Sequence, residues 1–149
     1  MYTILISSIK LEWKTREGGV GRTERKFLDF IIDGDSLHEQ IGGDQVSCLG
    51  WFVPEENEKT VQRVLRKEPA DFPNDRRSIY VCGECGGLDC GAISVVIERD
   101  SNRIIWREFG YENGYDGEIR FEDFEEFGPF AFDVDEYYRA IRQDLSKET

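Results

Sequence analysis

The sequence predicts an α+β fold, an antiparallel β-sheet built from hairpins with two or three helices packed on it, one of them C-terminal. Two segments, residues 92–99 and 103–111, are rich in β-branched and aromatic residues and are joined by the polar turn Asp100-Ser101-Asn102, as in a hairpin. Near the C-terminus Val134, Tyr137, Tyr138, Ile141 and Leu145 fall on one stripe at helical spacing. The helical patterns lie outside the main run of strands, which is the arrangement of α+β proteins.

The elements follow in order. Residues 2–14 alternate as one long strand, with Ile4 and Ile6 on one face and Leu5, Ile9, Leu11 and Trp13 on the other. A glycine-rich turn at residues 16–21 and an apolar return over 26–33 complete a first hairpin. Residues 36–41 fit one short helical turn, ended by Gly42-Gly43, and residues 46–53 a third strand carrying Cys48 and Trp51. Pro54 opens a helix expected over 56–67, with Val61, Val64 and Leu65 on its buried face and Pro69 and Pro73 stopping it. A short strand at 78–82 leads into a cysteine loop. Asn113-Gly114 and Asp116-Gly117 are turn signals. Asp133 is an N-cap for a helix running to about Leu145, and Glu136 stands three residues on, where a capping box places it.

The 149 residues fit one domain, 1–149, long enough to bury a core without staples. With 39% hydrophobic and 13% aromatic residues the chain is a folding one despite 34% charge. No apolar run reaches a membrane span, and the N-terminal MYTILISSIKLEW lacks the basic start and small-residue cleavage site of a signal peptide. A cytoplasmic location is expected, and with it cysteines that are reduced or metal-bound. A net charge of −12 argues against nucleic-acid and anionic-membrane partners. Residues 112–136 hold −9 of that charge, whereas residues 1–111 hold only −4. The acidity is local.

Residues 82–92 read CGECGGLDCGA. Cys82-x2-Cys85-Gly86 has the spacing of a zinc knuckle; Cys90 offers a third ligand and Cys48 or His38 a fourth, and a structural zinc takes four. The alternative is a compact turn whose small thiols are packing residues. A redox centre is disfavoured, because reactive C-x-x-C pairs sit at helix N-termini and here a β-branched strand sequence follows. Glu84 and Asp89 are also expected to raise the thiol pKa values. With His38 as the one histidine, histidine triads and multi-histidine metal sites are excluded. No phosphate loop or calcium loop is present, and the carboxylates of residues 122–126 read as a solvated run. No catalytic activity is expected.

Residues 109–138 interleave acids with aromatic side chains. Most of the aromatics are expected to dock a loop onto the sheet. The charge concentrated among them is expected to meet a basic protein, through Tyr111, Tyr115, Asp116, Glu118, Glu122, Asp123, Phe124, Glu125 and Glu126.

The block YVCGECGGLDCGA at 80–92, with WREFG at 106–110 and GPFAF at 128–132, resembles a family of small uncharacterised bacterial proteins; IDGDSLHEQIG at 32–42 extends the likeness. That resemblance brings no reaction with it. In size, acidity and lack of a catalytic constellation the chain also resembles immunity proteins of bacterial toxin systems. This implies a binding protein that covers the basic active or substrate-binding face of a cognate toxin, without a cofactor. A structural zinc on Cys82, Cys85, Cys90 and Cys48 is the first alternative, and a thiol oxidoreductase the second.

Overall fold

The structure is a computed structural model describing residues 4–142. The expected strand start at residue 2 and the expected helix end at Leu145 lie outside the described residues. The fold is α+β, with a mixed sheet, a small antiparallel sheet and three helices among the described residues.

The alternation over residues 2–14 produces two strands and not one: Ile6–Ser7 (β1) belongs to the larger sheet and Ile9–Arg16 (β2) to the smaller. The break at Ser8 is made by carboxylates from distant segments. Asp33 accepts hydrogen bonds from the Ser8 amide at 2.9 Å and the Ser7 hydroxyl at 2.8 Å, and Glu136 accepts from the Ile9 amide at 2.9 Å. With those donors satisfied, the chain can cross between sheets without orphaning its backbone.

β2 pairs with Arg25–Ile32 (β3) along its whole length, and Asp35–Ser36 (β4) adds a short third strand. Residues 27–32 of β3 are all buried, so this strand has no solvent face and its sequence is almost continuously apolar. Its exception, Asp29, accepts from Tyr80 Oη at 2.7 Å and Ser36 Oγ at 2.5 Å. Ser36 also caps the short helix Leu37–Ile41 (α1).

The strand expected at 46–53 is only Val46–Ser47 (β5). Ser47 explains the shortening: its hydroxyl donates to the Leu28 carbonyl at 2.5 Å and accepts from the Leu49 amide at 3.2 Å, which bends the chain away from the ladder. The next helix, Pro54–Val64 (α2), begins two residues before the expected start, with its proline in the first turn where no intrahelical donor is missed. It ends before 67 because Arg66 takes φ +66°.

Arg76–Val81 (β6), Ala92–Asp100 (β7), Arg103–Glu112 (β8), Ile119–Arg120 (β9) and Phe130–Asp133 (β10) complete the larger sheet. Its order is β1-β10-β8-β7-β6-β5 with β9 also on β8; β1 runs parallel to β10 and every other pair is antiparallel. β10 falls in a stretch expected to be loop. Val134–Ile141 (α3) follows it, capped by Asp133 Oδ2 on the Glu136 amide at 3.0 Å. The capping box is half formed, since the Glu136 carboxylate turns to Ile9 instead.

Trp106 joins the layers. It is fully buried, edge-on to Phe30 of β3 at 5.1 Å and to Phe132 of β10 at 5.6 Å. Its indole N–H donates to Tyr137 Oη at 3.1 Å, and that hydroxyl donates to the Val64 carbonyl at 2.8 Å.

Beside this apolar core lies a buried ion pair. Arg76 Nε meets Glu112 Oε2 at 3.0 Å, and Ser94 Oγ donates to the same oxygen at 2.5 Å. Replacing Glu112 by Leu leaves a buried guanidinium without its counter-charge and is expected to destabilise by about 3 kcal/mol; the double change Arg76→Met, Glu112→Leu should recover much of that loss, read by urea unfolding.

Candidate functional site

Between β6 and β7 the chain makes a tight loop on which Cys82 is half-buried and Cys85 and Cys90 are exposed. The Gly86 amide donates to the Cys82 carbonyl at 2.9 Å, closing the first turn. Two amides then point at sulfur, Glu84 N–H to Cys82 Sγ at 3.4 Å and Gly87 N–H to Cys85 Sγ at 3.3 Å. Each donor lies two residues beyond its cysteine, the repeating relation of a knuckle. A single turn of 3-10 helix, Leu88–Cys90, brings Cys90 back. The three sulfurs lie within 4.8 Å of one another, with Cys85 and Cys90 Sγ 3.4 Å apart. Around an ion with bonds of about 2.3 Å, tetrahedral geometry separates sulfurs by about 3.8 Å, so small side-chain rotations convert this cluster into a coordination site.

Two glycines make the loop possible. Gly86 has φ +70°, and a Cβ there would come within 2.7 Å of the Phe52 ring; at Gly91, φ +93°, it would strike the Tyr111 hydroxyl.

Two arginines hold the loop from the smaller sheet. Arg16, buried at the end of β2, reaches Glu84 Oε2 at 2.7 Å and Asp44 Oδ2 at 2.8 Å and donates to the Thr23 carbonyl at 2.7 Å. Arg25 donates to the carbonyls of Gly83 at 2.7 Å and Glu84 at 2.8 Å while stacking over Trp51. Glu84 also accepts from the Thr23 amide and hydroxyl, at 2.9 and 2.8 Å. The Thr23 amide, then Arg16 and the Thr23 hydroxyl, hold the Glu84 carboxyl down to about 2.

This arrangement corrects the expectation that the neighbouring acids raise the thiols. Burial does push Cys82 up, but the amides of Cys85 and Glu84 and the thiols of Cys85 and Cys90 outweigh it, and its pKa falls below the ordinary thiol value. Cys90 is pushed up to about 11, by hydrogen bonding with Cys85 and Cys82 and by their negative charge. The shared hydrogen bonds thus push the Cys82 and Cys90 thiols in opposite directions.

The fourth ligand expected from the sequence is not with the other three. Cys48 is 1% exposed in the core, its amide on the Ile79 carbonyl at 3.0 Å and its thiol pushed up to about 12 by burial. His38 Nε2 sits 2.7 Å from the Gln45 carbonyl, its ring packed against Phe27 and Tyr80. Among the described residues the group placed to hold a metal ion is Cys82, Cys85 and Cys90 alone.

The expected partner surface divides in two. Tyr111 is half-buried beneath Gly91, and Tyr115, Asp116 and Glu118 occupy the exposed turn between β8 and β9, where Gly114 abuts the Asp89 carboxylate of the cysteine loop. Glu122, Asp123, Phe124, Glu125 and Glu126 lie past β9, around the 3-10 turn Glu122–Phe124. Glu112, one of the acids in the net charge of residues 112–136, is buried against Arg76. The second patch borders a feature that the sequence did not disclose. An apolar groove of about 1050 Å³ runs between Phe121, Phe124, Phe127 and Phe130 on one side and Ile4 and Leu5 on the other. The three-residue recurrence of phenylalanine at 121, 124 and 127 was the available signal; the wall from the N-terminal segment had none. Comparison with family models, with curated proteins and with solved structures gave no match.

The Arg16–Glu84 clamp has a defined pH dependence. Because the Glu84 pKa is depressed in the folded state, its stabilisation is complete above the ordinary value of 4.5 and disappears as pH falls toward about 2. The difference in thermal midpoint between the wild type and Glu84→Gln should thus be constant near neutrality and shrink across that window.

Proposed function

We propose that this chain is a metal-binding protein, not an enzyme, which holds one zinc ion on Cys82, Cys85 and Cys90. The observation that carries the reading is the convergence of three sulfurs within 4.8 Å on a loop whose amides point at two of them. Three soft thiolates suit zinc, and the fourth position falls to water or to a donor from outside the chain. Arg25 supplies positive charge beside a cluster that becomes anionic on binding, and with Arg16 it fixes the backbone from which the ligands project. None of the four cysteines is held in a disulfide, so the three of the loop are available as ligands. No helix of the described residues is long and apolar enough to cross a membrane.

Protein purified without added metal should contain about one equivalent of zinc, and cobalt in its place should give thiolate charge-transfer absorption. Serine at position 82, 85 or 90 should weaken binding roughly 100-fold or more, while Cys48→Ser leaves the stoichiometry unchanged. Absence of zinc together with no cobalt spectrum overturns the reading.

A second reading, compatible with the first, is a protein-binding module of the immunity type, occluding the basic active or substrate-binding face of a cognate toxin. It is favoured by exposed acids at 116, 118, 122, 123, 125 and 126 beside exposed aromatic surface. Reversing Glu122, Asp123, Glu125 and Glu126 together should weaken association with a toxin encoded beside this chain about 100-fold and flatten its salt dependence. Unchanged affinity and protection remove the reading.

A further inference from the structure

We infer that the groove between the phenylalanine strip and the N-terminal segment is a docking site for a basic amphipathic helix of a partner protein, an inference that rests on the protein-binding reading above. Two of the large hydrophobic side chains left exposed line this groove: Leu5 at 85% and Phe121 at 39%. Behind them Phe109 is buried and Phe124, Phe127 and Phe130 are half-buried, so the floor is continuous aromatic surface packed on the core. Well-supported rings around a recess are what an anchoring side chain of a partner fills.

The rim sets the sign of the partner. Glu125 lines the groove, as does Glu108 in its ion pair with Arg107, and Glu122, Asp123 and Glu126 are exposed beside it. Arg107 also lines it, but its guanidinium is already engaged by Glu98 at 2.9 Å and by Glu108. An acidic rim on an apolar floor is complementary to a segment with one apolar face and lysines or arginines flanking it.

The shape selects a helix. The sheet edge beside the groove is β1, which is two residues long. A ladder that short offers an incoming strand one or two hydrogen bonds. The groove itself is walled by side chains, and at about 1050 Å³ it has room for several large apolar residues. A helix presenting anchors at i, i+3 or i+4, and i+7 fills such a space without needing the edge.

The test uses the whole chain and three fluorescent peptides of about 18 residues, followed by anisotropy at low and high salt. The first is a leucine-lysine peptide with leucines on one helical face; the second has the same composition with leucines scattered; the third has glutamate for every lysine. Leu5→Asp is the main variant, since a side chain this exposed can change without unfolding the protein, which circular dichroism verifies. A Glu122→Lys, Glu125→Lys variant probes the rim.

The amphipathic basic peptide should bind at least about 10-fold more tightly than either control, and each variant should weaken it about 10-fold or more. Equal binding of the scattered peptide reduces the site to nonspecific charge and overturns the proposal, as does unchanged binding to Leu5→Asp. Failure of all three peptides overturns it too, whether or not an apolar dye enters the groove. A toxin partner that binds the wild type and Leu5→Asp equally sinks the groove while leaving the protein-binding reading in place.

Discussion

The hydrogen bond from the Trp106 indole to Tyr137, passed on to the Val64 carbonyl, holds the layers of this molecule in register. A buried indole N–H and a buried phenol each need a partner, and here each satisfies the other while one helix carbonyl takes the remaining proton. Burial holds the phenol well above its ordinary range, so it keeps the proton it donates. Four elements meet at this point: β8 through Trp106, α3 through Tyr137, α2 through Val64, and β3 through the ring of Phe30. Once it is set, the far end of β8 is directed outward, and Phe109 and Tyr111 become supports for the groove and for the cysteine loop.

Arg16 does for the polar end what Trp106 does for the core. It is one side chain with three acceptors on three segments, at Thr23, Asp44 and Glu84. A lysine could not make these contacts together, because the fixed fork of a guanidinium is what spans them. The loop's geometry is therefore imposed by the smaller sheet, not by the strands on either side of it.

Much of the architecture was legible because it is written in local patterns. The hairpin of β7 and β8, the cap at Asp133 and the stripe of α3 each follow from residues within a few positions of one another. What escaped was decided by contacts between distant residues. Asp33 and Glu136 cut the first strand at Ser8, and the Ser47 hydroxyl ended β5, through hydrogen bonds that no periodicity encodes. The cysteine triad was readable from spacing, but the separation of Cys48 was not, since a lone buried thiol and a ligand look alike in a sequence. Glu84 was assigned the wrong electrostatic effect for the same reason: its neutralising arginine is 68 residues away. The net acidity of residues 112–136 was visible, whereas the burial of Glu112 depended on Arg76 arriving from another strand.

The crossing at Ser8 has a consequence for timing. Ile4 and Leu5 stand as one wall of the groove only because β1 is laid parallel to β10, and the junction that directs it there is tied off by Glu136, 127 residues away from Ile9. Closure over so long a span belongs late in folding, after the local hairpins are in place. The groove is in this sense a signature of completion. Both of its walls are in place only where β1 and β10 are paired.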